Sequence, residues 1–290
     1  MPKLILGTAN FSGDYGLKKG RFFKTEIRNK LPAILKKNKI IHIDTALDYK
    51  NSSNLLRSLK IKNPKITTKI KLPNKNKNIF LNNLKRKIYK QLKDLGISQF
   101  EAILIHNTND LFSNFGPKLL KVFNDLKFEK KTKMIGISVY SDKEIKKVMK
   151  IFKVDIIQFP LNIFNTSFVT KKWIKYFKIN NIRIQVRSIF LQGLLLNTSQ
   201  SNDQLKLNHN LKRHLTKFNN WIDKTKINRI FLNTQFLKRY FNMIDYIILG
   251  VDNHSQLLQN IKFLKLKKKF RISLKKFSSF NKNIIDPRAW

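Results

Sequence analysis

Asp44, Lys69, His106, Ser138 and Gln158 each close the C-terminal end of a short apolar, β-branched run. Alternate residues of a strand face the same side. One face would therefore carry Ile40, His42 and Asp44, and the next Lys65, Thr67 and Lys69. Three more would carry Ala102, Leu104 and His106; Met134, Gly136 and Ser138; and Val154, Ile156 and Gln158. Five runs that set a polar group at one level define a site rather than loose patterning. Asp44 and Lys69 can form a buried ion pair. Tyr49, on the segment that follows Asp44, can lie beside Lys69. A nearby ammonium favours the phenolate and lowers a tyrosine pKa from about 10, which makes Tyr49 a usable proton donor near neutral pH. His106 can orient a substrate oxygen. A tyrosine tuned by lysine and steered by histidine suits protonation of a carbonyl oxygen while hydride reaches its carbon. No side chain supplies hydride, so that chemistry needs a cofactor.

These residues need a scaffold that brings strand ends together. Strands are expected at Lys3–Thr8, Ile40–Asp44, Lys65–Ile70, Glu101–His106, Met134–Ser138, Val154–Phe159, Ile182–Ser188 and Asp245–Gly250. Amphipathic stretches at Thr25–Asn38, Ile79–Leu95, Pro117–Lys130, Asp142–Phe152 and Phe168–Ile179 read as the helices between them. Ser141 and Glu144 have capping-box spacing, and Asn253 with Gln256 marks another helix start. Most strand ends are separated by the length of one βα unit. The interval from 188 to 250 is longer and predicts an extra helix between strands 7 and 8. Eight alternating units predict an α/β fold, a (β/α)₈ TIM barrel, with an open doubly wound sheet as the alternative. No linker is visible, so residues 1–290 are expected to form a single barrel domain. The loop candidates Asn197–Asn210, Lys71–Asn78 and Asn107–Asn114 all follow strands, where a barrel gathers its active-site face.

Sixty Lys and Arg against 17 Asp and Glu give a net charge of +43. Such a charge raises nucleic acid, an anionic membrane or an acidic substrate as partners. The lysines are dispersed rather than gathered in a tail, and 23 Phe against 9 Gly match the codon bias of an A- and T-rich genome. Compositional drift is the preferred reading, and nucleic acid is not expected as a partner. The absence of cysteine excludes disulfides, thiolate metal sites and a cysteine nucleophile. His209, His214 and His254 lack partners at ligand spacing, so no metal is expected. His42 reads as a core histidine. Apolar runs are shorter than a membrane span and the N-terminus has no signal-peptide pattern, which predicts a cytoplasmic protein.

The chain resembles the aldo/keto reductase family in LILGTANFSGDYG, HIDTALDY, ITTKI, AILIHN, GISVYS, IQFPLN, RSIFLQGLL and YIILGVDNHSQLLQN, in the family's order. The resemblance implies a catalytic tetrad of Asp44, Tyr49, Lys69 and His106. It implies a nicotinamide cofactor, NADP(H) with NAD(H) as the alternative, held without a Gly-rich dinucleotide fingerprint. Ser138 and Gln158 would contact the carboxamide, and Gly7 and Thr8 would lie by the nicotinamide. The helix start at Asn253, with Asp252 and Asn260, would take the adenosine end. Phe11, Asn107 and Phe190 are the expected substrate-pocket residues, and Trp173 is a further aromatic candidate. RSIFLQGLL and the opening motif look closest to a branch associated with polysaccharide and sugar-derivative synthesis.

The chain also departs from the family pattern. Lys50 follows Tyr49 where glycine is usual, Ser53 replaces a glutamate, and Val139 replaces an asparagine. Arg187 stands where an aromatic residue often stacks on the nicotinamide, and is expected to touch cofactor or substrate. Asp252 replaces a basic residue that often grips the 2′-phosphate, and Gln259 replaces a glutamate. Against the reading of a carbonyl reductase stand two rivals: a silent relative acting as a regulatory or redox-sensing subunit, and a basic nucleic-acid-binding module.

Overall fold

A computed structural model describes residues 1–12, 25–49, 52–198, 205–267 and 272–290. Lys50, positions 13–16 of the opening motif and positions 199–204 of the Asn197–Asn210 loop lie outside the described residues.

The described strands are β1 (Lys3–Gly7), β2 (His42–Asp44), β3 (Lys65–Ile70), β4 (Phe100–Ile105), β5 (Thr132–Ser138), β6 (Ile156–Pro160), β7 (Arg183–Arg187) and β8 (Tyr246–Gly250). They pair in sequence order, each parallel to the next, and β8 pairs with β1 to close the barrel. The helices are α1 (Thr25–Lys37), α2 (Ser52–Ser58), α3 (Lys77–Asn82), α4 (Leu84–Leu95), α5 (Gly116–Phe128), α6 (Asp142–Val148), α7 (Lys171–Ile179), α8 (His209–Thr225), α9 (Arg229–Lys238), α10 (His254–Lys265) and α11 (Lys282–Ile285). The long interval before β8 holds both α8 and α9, which accounts for the extra helix.

Helix α4 shows why these segments pack as they do. Leu84, Ile88, Leu92 and Leu95 recur at helical spacing and are all buried. Each such side chain stabilises the fold by about 1.5–3 kcal/mol. The expected single helix Ile79–Leu95 is in fact two, α3 and α4, broken at Asn83, whose side-chain amide donates to the Ile79 carbonyl at 2.9 Å. Ser141 and Glu144 form the expected capping box at the start of α6. Asn253 caps α10 by accepting from the Gln256 N–H, but the Gln256 side chain accepts from Asp252 N–H instead of closing a box.

The barrel interior is layered. A small apolar cluster of Ile5, Ala102, Leu104, Ile156, Tyr246 and Ile248 fills it. Polar residues lie one step further toward the C-terminal ends of the strands. Gly136 permits this arrangement, since a Cβ there would come within 1.9 Å of the Ile156 carbonyl oxygen. The close approach of β5 to β6 sets Ser138 opposite Gln158. His42 is buried with its ring 5.3 Å from that of Tyr246, as a core histidine. Burial lowers its pKa from 6.5 to about 4.

Scarcity of glycine is visible in the backbone. Gly96 closes α4 in the left-handed region, the usual choice for that position. Elsewhere Lys39, Lys60, Lys130 and Lys226 take positive φ, from 47° to 55°, just past helices.

Candidate active site

The four groups expected to do chemistry meet at one end of the barrel. Asp44 ends β2, Lys69 lies near the end of β3, His106 follows β4, and Tyr49 lies on the turn after β2. Lys69 is fully buried and forms an ion pair with Asp44 Oδ1. Burial lowers the Lys69 pKa from the usual lysine range, against the opposing pull of Asp44. The Lys69 ammonium is 5.5 Å from the centroid of the Tyr49 ring. The Tyr49 and His106 rings meet edge to face at 6.4 Å. Local backbone bonds fix these positions. Leu47 N–H donates to the Lys69 carbonyl at 2.9 Å, and His106 N–H to the Ile70 carbonyl at 2.7 Å.

His106 is held neutral. Burial lowers its pKa from 6.5 to about 3, aided by the positive charges of Lys69, Arg187 and Lys71. Its Nδ1 is buried without a hydrogen-bond partner. A neutral imidazole can donate from one nitrogen and accept at the other.

A buried hydrogen-bond chain runs under the site. Gln158 Nε2 donates to Asp44 Oδ2 at 2.8 Å and to Gln185 Oε1 at 3.1 Å. Ser138 Oγ donates to Gln158 Oε1 at 3.2 Å, and Gln185 Nε2 donates to Thr67 Oγ1 at 3.2 Å. Gln185 was not among the expected site residues. Its signal in the sequence was its place two residues before Arg187, on the same face of β7.

One cavity of about 380 Å³ spans the site. Its wall includes Asp44, Tyr49, Lys69, His106, Gln158 and Arg187 at one end, and Asp252, Gln256 and Asn260 at the other. Gly7 and Phe190 also line it. The remaining expected residues lie beside the wall. Thr8 is buried and donates to the Asp44 carbonyl at 3.0 Å. Ser138 reaches the site through Gln158, and Asn253 is occupied as a helix cap. Two pocket expectations need correcting. Phe11 is packed into the core and is not among the residues of the cavity wall. Asn107 caps the turn Thr108–Phe112 and donates to Asp110 Oδ1 at 3.3 Å. That aspartate accepts from Leu72 N–H at 2.9 Å and so joins the loops after β3 and β4. Trp173 is buried against Phe177 in α7.

The residues present fit a nicotinamide cofactor on three observations. Both amide hydrogens of Gln158 are committed to protein acceptors, while its Oε1 keeps a lone pair for a ligand N–H. At the far end, buried Asn260 Oδ1 on the cavity wall has no partner. Gly250, between these ends, leaves open space where a side chain would stand. Among the described residues no cluster of three His, Asp or Glu could hold a metal ion, and no helix is long and apolar enough to cross a membrane.

Comparison with known proteins agrees with this fold. No curated protein matches the sequence. Solved structures do share the fold. An aldo-keto reductase from Bacillus halodurans in its holo form is 16% identical with a TM-score of 0.65, covering 95% of this chain and 90% of that one. An aldo-keto reductase of Bombyx mori in complex with NADP is 16% identical with a TM-score of 0.62, covering 100% and 93%. An aldo-keto reductase enzyme from a Medee basin deep-sea metagenome library is 20% identical with a TM-score of 0.60, covering 96% and 90%. The sequence profile of the aldo/keto reductase family matches residues 3–278. The chain therefore belongs to the aldo/keto reductase family of NAD(P)H-dependent oxidoreductases.

Proposed function

We propose that this enzyme reduces an aldehyde or ketone, with Tyr49 as the proton donor, in one barrel domain. The observation that carries the reading is the Lys69 ammonium, paired with Asp44 and 5.5 Å from the Tyr49 ring. A cation at that range stabilises the phenolate as the proton leaves. Asp44 favours the charged form of the lysine against the effect of burial. Neutral His106 donates a hydrogen bond to the carbonyl oxygen and orients it toward the Tyr49 hydroxyl. Gln158 offers Oε1 to the carboxamide of the cofactor, and Asn260 offers its open Oδ1 to the adenosine end. The nicotinamide cofactor, when bound, supplies the hydride.

The test is Tyr49→Phe, followed by NAD(P)H absorbance across a panel of aldehydes and keto-sugars. Loss of a positioned general acid costs about 10²–10⁴ in rate. The variant should lose that much kcat and keep its fold and cofactor affinity. Wild-type kcat in Tyr49→Phe would refute the assignment.

For the cofactor, NADPH is the expected partner, with weaker discrimination against NADH than is usual in the family. The support is Asp252, a carboxylate on the cavity wall that accepts from Asn10 Nδ2 at 2.7 Å. An acidic side chain near the ribose repels a 2′-phosphate and accepts from a free 2′-OH. Lys265, which a longer reach would bring to that phosphate, instead donates to Asn38 Oδ1 at 2.9 Å. The ratio of kcat/KM for NADPH over NADH should stay below about a hundredfold at about 0.15 M salt, and Asp252→Arg should raise it.

A further inference from the structure

Arg187 ends β7 and presents an unusual group to the cavity. Among the described residues it has no carboxylate partner. Its protein hydrogen bonds are to Ser188 Oγ at 3.3 Å and the Val139 carbonyl at 3.1 Å. A guanidinium has five N–H groups, so three remain for a ligand. The side chain is firmly held. Its guanidinium lies 4.0 Å over the Tyr140 ring, and the Arg288 guanidinium lies 3.9 Å from the same ring centroid. Two such groups cannot share one face of a ring, so Tyr140 is clamped between them. Arg288 is anchored in turn on Asp286 and Glu144. The backbone is fixed as well. Leu161 N–H donates to the Arg187 carbonyl at 3.1 Å, and Ser188 turns the chain at once with φ 53°.

The direction of this side chain separates it from the adenosine end. In the barrel the strands run β5, β6, β7, β8. Arg187 reaches from β7 over β6 to the loop after β5, whereas Asp252 and Asn260 follow β8 on the other side. Its charge therefore belongs to the end of the cavity that holds His106 and Tyr49. Lys71 adds a second cation near His106, in the field of the Asp110 carboxylate as well. The acidic groups here are already engaged or outlying. Asp44 is shared by Lys69 and Gln158, Asp110 accepts from Leu72 N–H and Asn107 Nδ2, and Asp48 is exposed.

We propose that Arg187 is the receptor for a carboxylate on the substrate, so that the enzyme prefers aldehydes and ketones that also carry an acid group. The inference rests on the carbonyl-reductase reading and names its substrate class. A planar fork held flat on an aromatic ring suits a planar carboxylate, bound by two parallel N–H···O bonds. Because the ring clamp and the Val139 contact fix the fork before a ligand arrives, little side-chain freedom is lost on binding.

The test uses two substrates with the same reacting carbonyl, 4-carboxybenzaldehyde and its methyl ester. Succinic semialdehyde and its methyl ester provide a shorter pair. The readout is the acid-to-ester ratio of kcat/KM, measured at about 0.15 M and about 0.5 M salt to screen the general positive field. The wild type should favour the acid of at least one pair at both salts. Arg187→Met should lower that ratio at least about 30-fold, as for loss of a charge-assisted contact. Arg187→Lys, which keeps the charge and loses the fork, should fall between. Lys130→Met removes the same unit charge from an exposed turn just past α5 and should leave the ratio where it was. An ester turned over as well as its acid, in both pairs, overturns the inference and leaves the reductase reading standing. So does an equal loss on acid and ester in Arg187→Met, which would make Arg187 a cofactor or structural contact. No turnover of any of the four compounds by the wild type overturns both.

Discussion

Gln158 and Lys69 share the Asp44 carboxylate, Gln158 donating to Oδ2 at 2.8 Å while Lys69 holds Oδ1. The residue expected to meet the cofactor thus also restrains the aspartate that pairs with Lys69. Gln158→Met would leave Oδ2 without its donor in a buried site. Hydrogen bonds to charged groups contribute about 1.5–3 kcal/mol, so kcat should fall roughly 10- to 100-fold while circular dichroism stays native. A kcat within a factor of about 2 of wild type would show that the restraint does not reach Lys69.

Lys69→Met should abolish turnover and also weaken the fold. Removing one partner of a buried ion pair leaves the other charge uncompensated, at about 3–5 kcal/mol. The double variant Asp44→Asn/Lys69→Met should recover part of that stability and none of the activity. Urea denaturation of the three proteins checks this. A single variant as stable as wild type would mean that water reaches Asp44 easily.

Two buried histidines tie stability to pH. The folded-state pKa of His106 is lowered from 6.5 to about 3, and that of His42 from 6.5 to about 4. Above pH 6.5 both are neutral in the folded and unfolded chains. As the pH falls below that value the unfolded chain binds protons first, so stability is lost from about 6.5 down to the folded values. Thermal melts between about pH 7 and about pH 5, above most carboxylate titrations, should show a falling Tm. The fall should be shallower in His42→Gln. Identical slopes in the two proteins would place the proton uptake elsewhere. The same lowered pKa predicts that kcat/KM has no acid limb near pH 6.5 from His106.

Lys226 caps the C-terminus of α8 with φ 53° and is exposed. A left-handed residue with a Cβ costs about 1–2 kcal/mol, of which the greater chain entropy of glycine cancels about 0.5–1. Lys226→Gly should therefore stabilise the protein by about 0.5–1 kcal/mol. Lys224 keeps a positive charge in the last turn of the helix. Denaturant midpoints would check it, and a lower midpoint would contradict the conformational assignment.

Much of the site was legible because strand periodicity and barrel topology are rigid. Asp44, Lys69 and Gln158 share inward faces by parity alone, and eight βα intervals predict their convergence. What parity cannot supply is the partner chosen by each polar group. Gln185 and the Gln158–Asp44 bond depend on which inward amides meet across a closed barrel, and nothing local in β6 or β7 encodes that. The clamp on Tyr140 was equally hidden, because Arg288 lies 148 positions away in the chain and arrives by tertiary packing. Phe11 shows the opposite failure. A loop position beside a strand end suggested a pocket, and the gain from burial took the ring into the core.

The lysines in left-handed conformation bear on how this sequence can change. Lysine codons are AAA and AAG, and every glycine codon begins GG. A change to glycine at Lys39, Lys60, Lys130 or Lys226 therefore needs two nucleotide changes. The intermediates encode arginine or glutamate, whose Cβ leaves the backbone strain in place. Asparagine, which tolerates the left-handed region, is one nucleotide from lysine, and Asn63, Asn76 and Asn181 already take positive φ, so single mutations can relieve these helix ends through asparagine but not through glycine.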